Sequence, residues 1–324
     1  MIRIGGAAIE GIAALAPMAG VTDLPARLLA REQGAGFCVT EMLSAKGYVY
    51  SPLSRGSRDI LARAPHEGPL AVQLFGAEPC YLADAAARLS DQGFFAIDLN
   101  LGCPVHKVVS AGEGAALMRD PIAAGRAIAA AVSGSRLPVT VKIRSGWDEH
   151  SVNAVEIARI AQAEGAAALT VHARTRAQMY AGRADWSVIA DVVRAVSIPV
   201  IGNGDAVDGG RAMAMMRETG CAAVMVARAS RGNPWIFRDI ERARRGLPGL
   251  PPTPAERLSA AMRHADMLLA LKGEYIAMRE MRTHAPHYLS GLPGSAKLRE
   301  ALNHIARLDA LREALMRYGD SLTG

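Results

Sequence analysis

The chain has 324 residues, of which 50% are hydrophobic, 21% are charged and 5% are aromatic, and its formal net charge is +6. This composition excludes an intrinsically disordered chain, which needs low hydrophobicity and high net charge. The length suits two domains, or one large domain with an appendage.

Eight short apolar runs, rich in Val, Ile and Ala, are predicted to form β-strands. Most of them are continuously apolar rather than alternating, which is typical of parallel strands covered by helices. Ala-rich stretches with helical spacing separate them. The predicted strands are 12–16, 37–41, 70–74, 95–99, 139–143, 168–172, 198–202 and 223–227, and the helices between them include 80–91, 120–133, 151–164 and 208–219.

This eightfold repetition of strand and helix predicts an α/β fold, the (β/α)8 or TIM barrel, as one catalytic domain over residues 1–245. The alternative is a doubly wound open sheet, which would require a G-x-G-x-x-G turn after the first strand. The turn here reads PMAGVTD and does not match that pattern.

A proline-rich segment, residues 246–254, is predicted to be a linker, because LPGLPPTP can continue neither a helix nor a central strand. Residues 255–324 show apolar side chains at helical spacing, so a small all-α helical bundle is predicted to follow. Residues 241–324 carry 13 Lys and Arg against 9 Asp and Glu. This excess is compatible with an ordinary solvated surface, and it also fits a polyanionic partner such as nucleic acid.

The four cysteines form no C-x-x-C pair, so neither a disulfide framework nor a metal site is expected. The N-terminus lacks the pattern of a signal peptide, and no run of about 18 apolar residues occurs, so no membrane span is expected. We therefore expect a cytoplasmic protein, and we expect it to be a monomer.

Polar or turn-forming residues follow each predicted strand, and in a barrel these positions meet at the C-terminal mouth, where active sites lie. They are Pro17, Met18, Ala19, Glu41, Gln73, Asn100, Cys103, Lys142, Arg144, His172, Arg174, Asn203, Gly204, Asp205 and Arg228. Small residues and an arginine in the last two loops, IGNGDAVDGG and VARASRG, suit a phosphate group.

Lys142 has two rival roles: it could form a Schiff base, or it could place positive charge near a reduced flavin. Gln73 offers both a donor and an acceptor, which suits the uracil-like edge of an isoalloxazine ring. Together with His172 and the phosphate loops, these residues favour FMN over a Schiff-base enzyme.

Several segments, taken together, resemble the tRNA-dihydrouridine synthase family, and the branch they resemble most is that of the bacterial B-type enzymes. The resemblance runs from about residue 3 to about residue 240, and more loosely through MREMRTHAPHYLSGLPG in the tail. The segments are APMAGVTDLPAR, TEMLSAKG, VQLFG, DLNLGCPVHKV, GAALM, VKIRSGW, TVHARTRAQMYAG, IPVIGNGD and ARASRGNPWIF.

The resemblance implies a flavin-dependent oxidoreductase in which FMN, reduced by NADPH, reduces the C5–C6 double bond of D-loop uridines in tRNA. It implies that Cys103 is the catalytic acid, and a thiol with a pKa of about 8.5 is protonated at neutral pH and able to donate. We assign substrate contacts to Asn100, Arg144, Arg174 and Arg282. The implied FMN contacts are Pro17, Met18, Ala19, Gln73, Lys142, His172, Asn203, Gly204, Asp205, Ala227 and Arg228.

Two departures from the family pattern concern the binding sites. Ala227 stands where relatives commonly have glycine, which a close approach to phosphate tolerates if φ is negative. In the helical domain the Trp of a basic-His-Trp-Tyr segment is missing, and Pro286 is predicted to shorten the helix.

Two other hypotheses remain open at this point. One is an FMN-dependent TIM-barrel oxidoreductase that acts on a small pyrimidine or enone, and the other is a non-catalytic nucleic-acid-binding regulator. The basic helical appendage and the LNLGCP loop speak against the first, and the ring of polar strand ends speaks against the second.

Overall fold

The eight predicted strands form a closed parallel barrel in the computed structural model, which describes residues 1–322. Each strand pairs with the next along the chain, and the last closes on the first. The prediction of a TIM barrel is therefore confirmed. In chain order the strands are β1 (Ile2–Ile4) and β2 (Ala7–Ile9), which lie outside the barrel, then β3 (Ala13–Leu15), β4 (Phe37–Ser44), β5 (Leu70–Phe75), β6 (Ala96–Leu101), β7 (Val139–Arg144), β8 (Ala168–His172), β9 (Val200–Asn203) and β10 (Ala223–Val226).

Helices follow the strands as the sequence predicts, and short polar side chains start several of them. Asp23, Asp120 and Asp208 each accept a hydrogen bond from a backbone N–H of the first helical turn, which satisfies a donor that the helix leaves unpaired. The helices of the barrel domain are α1 (Leu24–Glu32), α2 (Ala45–Tyr50), α3 (Arg55–Leu61), α4 (Pro79–Leu89), α5 (His106–Val109), α6 (Pro121–Gly134), α7 (Ala154–Ala163), α8 (Trp186–Ala195), α9 (Gly209–Thr219) and α10 (Ile236–Arg244).

The N-terminal hairpin of β1 and β2 was not predicted from the sequence. Its three isoleucines, Ile2, Ile4 and Ile9, are buried in the same cluster as small residues such as Ala71 and Ala168 on barrel strands. Small side chains at the N-terminal half of a barrel leave space that must be filled. The hairpin therefore contributes the apolar volume that the alanine-rich strands lack.

Four helices form the C-terminal domain, in agreement with the predicted bundle. Thr253 and Glu256 form a reciprocal capping box at the start of the first helix, which begins at Pro254, the last residue of the predicted linker. The expectation that Pro286 shortens its helix is wrong, because this helix continues to Tyr288. Pro286 lies in the last turn, where it removes only one backbone hydrogen bond. The helices are α11 (Pro254–Lys272), α12 (Glu274–Tyr288), α13 (Ser295–Leu302) and α14 (Leu308–Asp320).

The helical domain packs against α1 and the segment after β10. Leu29 of α1 and Trp235 are buried in the same apolar cluster as the cores of α11, α12 and α14. Arg263 of α11 donates two hydrogen bonds to the carboxylate of Glu32, at 2.7 and 2.9 Å. None of the helices within residues 1–322 is long and apolar enough to cross a membrane.

Gly232 lies at a close contact between the barrel and the helical domain. Its φ is +60°, and a Cβ atom there would lie 2.3 Å from the carbonyl carbon of His287 and 2.4 Å from the backbone nitrogen of Tyr288. Backbone atoms cannot move aside as a flexible side chain does, so only glycine fits at this contact.

We expect Gly232→Ala to lower the free energy of unfolding by about 2–4 kcal/mol, since overpacking adds to the strain of a positive φ. Gly246→Ala is the matched control, because Gly246 has a φ of +71° and open space around it. That variant should lose only about 1 kcal/mol. Urea unfolding measures both values, and equal losses in the two variants would contradict the proposed close contact.

Candidate active site

The C-terminal mouth of the barrel opens into a cavity of about 440 Å³, and the loops after the strands line it. The structure brings almost all of the predicted site residues together here. Those that line the cavity are Pro17, Met18, Ala19, Gln73, Asn100, Cys103, Lys142, Arg144, His172, Arg174, Asn203, Gly204, Asp205, Ala227 and Arg228. Arg282 does not line it; this side chain is exposed on α12 in the helical domain.

A chain of hydrogen bonds crosses the floor of this cavity, and it begins at the buried carboxylate of Asp98. Thr140 Oγ1 donates to Asp98 at 2.5 Å, and Gln73 Nε2 donates to the other carboxylate oxygen at 2.7 Å. Asn100 Nδ2 in turn donates to Gln73 Oε1 at 2.8 Å. The two predicted amide residues are thereby held in one orientation.

The same chain ends at the loop that carries the predicted acid. Asn100 Oδ1 accepts hydrogen bonds from the backbone N–H groups of Gly102 and Cys103, at 3.0 and 2.8 Å. On the other side of the loop, a Cβ at Gly114 would lie 2.9 Å from the Cys103 carbonyl oxygen, and Gly114 has a φ of +59°. Asn100 and a required glycine therefore fix the backbone around Cys103.

Sequence analysis did not identify Asp98 and Thr140 as site residues. Asp98 stands two positions before Asn100 in the same strand, so both side chains point to the same face. An acidic residue inside an apolar run, on the face that carries a predicted ligand contact, was the available signal. Burial raises the pKa of Asp98 to about 6, while the bonds from Thr140 and Gln73 and the charge of Lys142 act in the opposite direction.

Burial also shifts the two reactive groups nearest the chain. It raises the pKa of the half-buried Cys103 thiol, although a backbone hydrogen bond with Val105 and the charges of Arg144 and Lys142 oppose the shift. It lowers the pKa of Lys142 to about 8, with a further contribution from Arg144. The Lys142 ammonium donates to Asn203 Oδ1 at 3.3 Å. At neutral pH the thiol is protonated and the lysine remains charged.

His172 is buried, and its pKa is well below the ordinary value. Burial is the largest cause, and the surrounding cations Lys142, Arg144, Arg174 and Arg228 add to it. The imidazole is therefore neutral at physiological pH. It can donate or accept one hydrogen bond at each nitrogen but brings no charge of its own.

Two of the predicted substrate contacts, Arg144 and Arg174, hold the loops around the cavity. Arg144 donates to the carbonyl oxygens of Gly102, Thr175 and Met179 at 2.7–2.8 Å. Arg174 donates to both carboxylate oxygens of Asp205, at 2.7 and 2.8 Å. Both guanidinium groups reach the cavity wall, and both bind protein groups there.

The loops after β9 and β10 have the backbone shape of an anion site. Gly204 has a φ of +118°, and a Cβ there would lie 2.9 Å from the Ala184 Cβ. Ala227 has a φ of −115°, so the alanine is accommodated without left-handed strain, as the sequence analysis required. The half-exposed Arg228 guanidinium lies 3.7 Å from Asp205. Since Arg174 already pairs with Asp205, this carboxylate does not neutralise the mouth fully.

Comparison with a solved structure agrees with the fold. The chain is similar to histamine dehydrogenase from Rhizobium sp. 4-9, with a TM-score of 0.56 over 82% of this chain. The aligned part spans only 50% of that larger chain, and the sequence identity is 14%. This likeness concerns the barrel architecture alone.

The similarity to known protein sequences extends over nearly the whole chain. It is 40% identical to tRNA-dihydrouridine synthase B of Pseudomonas aeruginosa, over 96% of this chain and 93% of that protein. It is 41% identical to tRNA-dihydrouridine synthase B of Xanthomonas axonopodis pv. citri, over 99% and 96% of the two chains. A probable tRNA-dihydrouridine synthase of Rickettsia conorii is 38% identical over 99% and 97%.

The family model described as dihydrouridine synthase (Dus) matches residues 14–320, which include the barrel, the cavity and the helical domain. The chain thus belongs to the dihydrouridine synthase family.

Proposed function

We propose that this protein is a tRNA-dihydrouridine synthase that uses FMN as its flavin, NADPH as its reductant and Cys103 as its proton donor. Dihydrouridine synthases are flavin-dependent oxidoreductases, and relatives of about 40% identity carry the name tRNA-dihydrouridine synthase B. The observation that carries the proposal is the position of Cys103. Cys103 lines a cavity that Lys142 and four arginines also line.

The residues of the cavity fit FMN in size, shape and charge. A volume of about 440 Å³ lies in the range of small-molecule and cofactor sites. Gln73 and Lys142 present an amide and a cation for the ring. Gly204, Ala227 and Arg228 would hold the phosphate, because Gly204 and Ala227 leave the backbone N–H groups accessible to an anion and Arg228 adds a charged donor.

Bound FMN would supply the hydride that adds to C6 of the uracil ring. Cys103 would then give its proton to C5 from the opposite face. Burial keeps the thiol protonated at neutral pH, and its backbone is fixed by Asn100. The neighbouring His172 is uncharged, so it is a weaker proton donor than an imidazolium would be. Lys142 and Arg144 lie close enough to stabilise negative charge on the reacting base.

The helical domain would position the tRNA so that one uridine reaches the mouth of the barrel. To enter, the base must leave its stack, which costs a few kcal/mol. Arg282 and Lys297 are exposed on this domain, and within residues 1–322 neither forms an ion pair. Unpaired surface cations can bind phosphates without first breaking an internal contact.

We expect Cys103→Ala to retain FMN and to be reduced by NADPH at the wild-type rate. Oxidation of the reduced protein by unmodified tRNA should slow by about 10²–10⁴-fold, the usual contribution of a positioned acid. Stopped-flow absorbance of the flavin measures both half-reactions, with free uracil as the comparison substrate. Cys80→Ala is the control because Cys80 is exposed and lies outside the cavity. If tRNA oxidised the flavin of Cys103→Ala at the wild-type rate, Cys103 would be excluded as the proton donor. If free uracil oxidised the flavin as fast as tRNA does, tRNA would be excluded as the preferred substrate.

FMN affinity should fall as the pH rises above about 8, because Lys142 loses its charge in that range in the free protein. A bound anion favours the charged form of Lys142. Above its pKa the lysine must therefore take up a proton when FMN binds, and the affinity for FMN falls. Fluorescence titration of flavin-free protein from neutral to alkaline pH measures this. Lys142→Arg should flatten the pH dependence, and Lys142→Met should bind weakly at every pH. If the FMN affinity of Lys142→Met varied with pH as that of the wild type does, Lys142 would be excluded as an FMN contact.

Binding of tRNA should depend strongly on salt. If about four phosphates are neutralised, log K should fall with log[salt] at a slope of about −3 to −4. Arg282→Ala should reduce the slope by about 1 and weaken binding to all tRNA sequences alike. Arg159→Ala, which removes the same charge from the exposed face of α7, is the control and should bind as the wild type does. Equal effects of the two substitutions would contradict the assignment of tRNA binding to the helical domain.

A further inference from the structure

A second group of polar side chains lies between the barrel and the helical domain, away from the cavity. It consists of Asp23 at the start of α1, His264 on α11 and His284 on α12, and we call it the interdomain cluster. Their relative exposures are 3%, 1% and 7%. One ligand atom from each residue lies within 4.8 Å of the other two. Buried polar groups of this kind are expected to have hydrogen-bond partners.

His264 does not have its full set of partners. Its Nδ1 lies 3.0 Å from the hydroxyl of Tyr288. Its Nε2 is inaccessible to solvent and has no hydrogen bond, and its nearest charged atom is Asp23 Oδ1 at 3.7 Å. In the tautomer in which Nδ1–H donates to Tyr288, Nε2 carries a free lone pair and lies 3.7 Å from Asp23 Oδ1. A buried nitrogen without a hydrogen bond lowers the stability of the folded state, so a bound ligand at Nε2 would be stabilising.

His284 provides a second imidazole beside the first. The centroids of the two rings lie 4.5 Å apart, and among the described residues the ring nitrogens of His284 make no hydrogen bond. Imidazole nitrogens are among the ligands that Zn²⁺ binds in proteins.

A cavity of about 20 Å³ adjoins both rings and Tyr288. A site for one water molecule or one small ion needs roughly 10–15 Å³. Arg231 also lines this cavity, and Asp23 does not. The carboxylate of Asp23 lies 3.7 Å from His264 Nε2, so it would have to compensate the charge of a bound cation from beside the cavity.

Lys272 lies 3.7 Å from Asp23 Oδ2 and 2.8 Å from Glu280, so it pairs with both carboxylates. Asp23 Oδ1 also accepts the backbone N–H of Ala26 at 3.1 Å. A carboxylate has about four lone-pair sites, so Asp23 can still act as a ligand.

We propose that Asp23, His264 and His284 form a structural site for a divalent transition-metal ion, with Zn²⁺ as the best match, that ties α1 to α11 and α12. Two imidazoles and one carboxylate are ligands that Zn²⁺ prefers, with water as the fourth. Tetrahedral bonds of about 2.0–2.1 Å place neighbouring ligand atoms about 3.4 Å apart. The Nε2–Oδ1 distance of 3.7 Å would need to contract by a few tenths of an ångström, and the other ligand-atom distances, which lie within 4.8 Å, would have to shorten on binding where they exceed the tetrahedral value.

Sequence analysis predicted no metal site, because it considered only the spacing of cysteines. The three ligands of the interdomain cluster lie at or on separate helices of two domains, so they form no short sequence motif. Tyr288 is the outer partner that orients His264, as is usual for metal-binding histidines.

The test measures metal binding by the full-length flavin-loaded protein, purified without a polyhistidine tag and treated with chelating resin. Zinc titration followed by elemental analysis should give one tightly bound ion per chain. Saturating Zn²⁺ should raise Tm by about 5 °C, since it binds only the folded state. Asp23→Asn and His284→Asn should each lose the ion and the shift in Tm. His287→Asn is the matched control, because this residue lies on the same helix but outside the interdomain cluster, and it should keep both.

X-ray absorption of the wild-type zinc protein gives a second measurement that does not depend on whether the variants fold. It should show two imidazole ligands and oxygen, with no sulfur. Failure of the wild type to retain Zn²⁺, sulfur ligation through the cysteines, or unchanged binding in Asp23→Asn and His284→Asn would each overturn the proposal. In the first case the interdomain cluster holds water or a shared proton instead.

Discussion

The carboxylate of Asp98, enclosed within the barrel, orients the residues on which the cavity depends. It accepts hydrogen bonds from Thr140 and Gln73, and Gln73 passes the constraint to Asn100. Asn100 then holds the backbone of Cys103 through its amide oxygen. Inside a low-dielectric interior such a chain is strong only when every member is satisfied. Cys103, the proposed proton donor, is therefore positioned from the floor of the barrel and not only by its own loop.

Closure of the barrel explains why cations can accumulate at its mouth. Lys142, Arg144, Arg174 and the neutral His172 come from neighbouring strands, and parallel pairing places their side chains around one opening. Burial, and after it the charge of neighbouring cations such as Arg144, depresses the pKa values of Lys142 and His172. The guanidinium groups of Arg144 and Arg174 are held in place because backbone carbonyls and Asp205 accept their hydrogen bonds. This arrangement suits a site that awaits negative charge from a ligand.

The two domains are joined by close contact rather than by the linker alone. Gly232 brings the segment after β10 against the backbone of α12, and Leu29 enters the core of the helical domain. The interdomain cluster lies near the same contact, and its member Asp23 stands one residue before α1. Since α1 follows the first loop of the cavity, the orientation of the helical domain is coupled physically to the mouth of the barrel. Under the proposed function, a tRNA bound to the helical domain would be presented to the barrel in a defined geometry.

The sequence by itself determined the eight barrel strands, the helices between them, the four helices of the tail and the set of residues at the strand ends. These features follow from local patterns of apolar residues, turn formers and helix caps, which can be recognised in a single sequence. Three-residue strands such as β1 and β2 carry too little periodicity to be recognised. The partners of Asp98, the pairing of Arg174 with Asp205 and the meeting of Asp23 with His264 and His284 join residues that are distant in the sequence. Only barrel closure and domain docking bring such residues together, so the tertiary structure alone decided them.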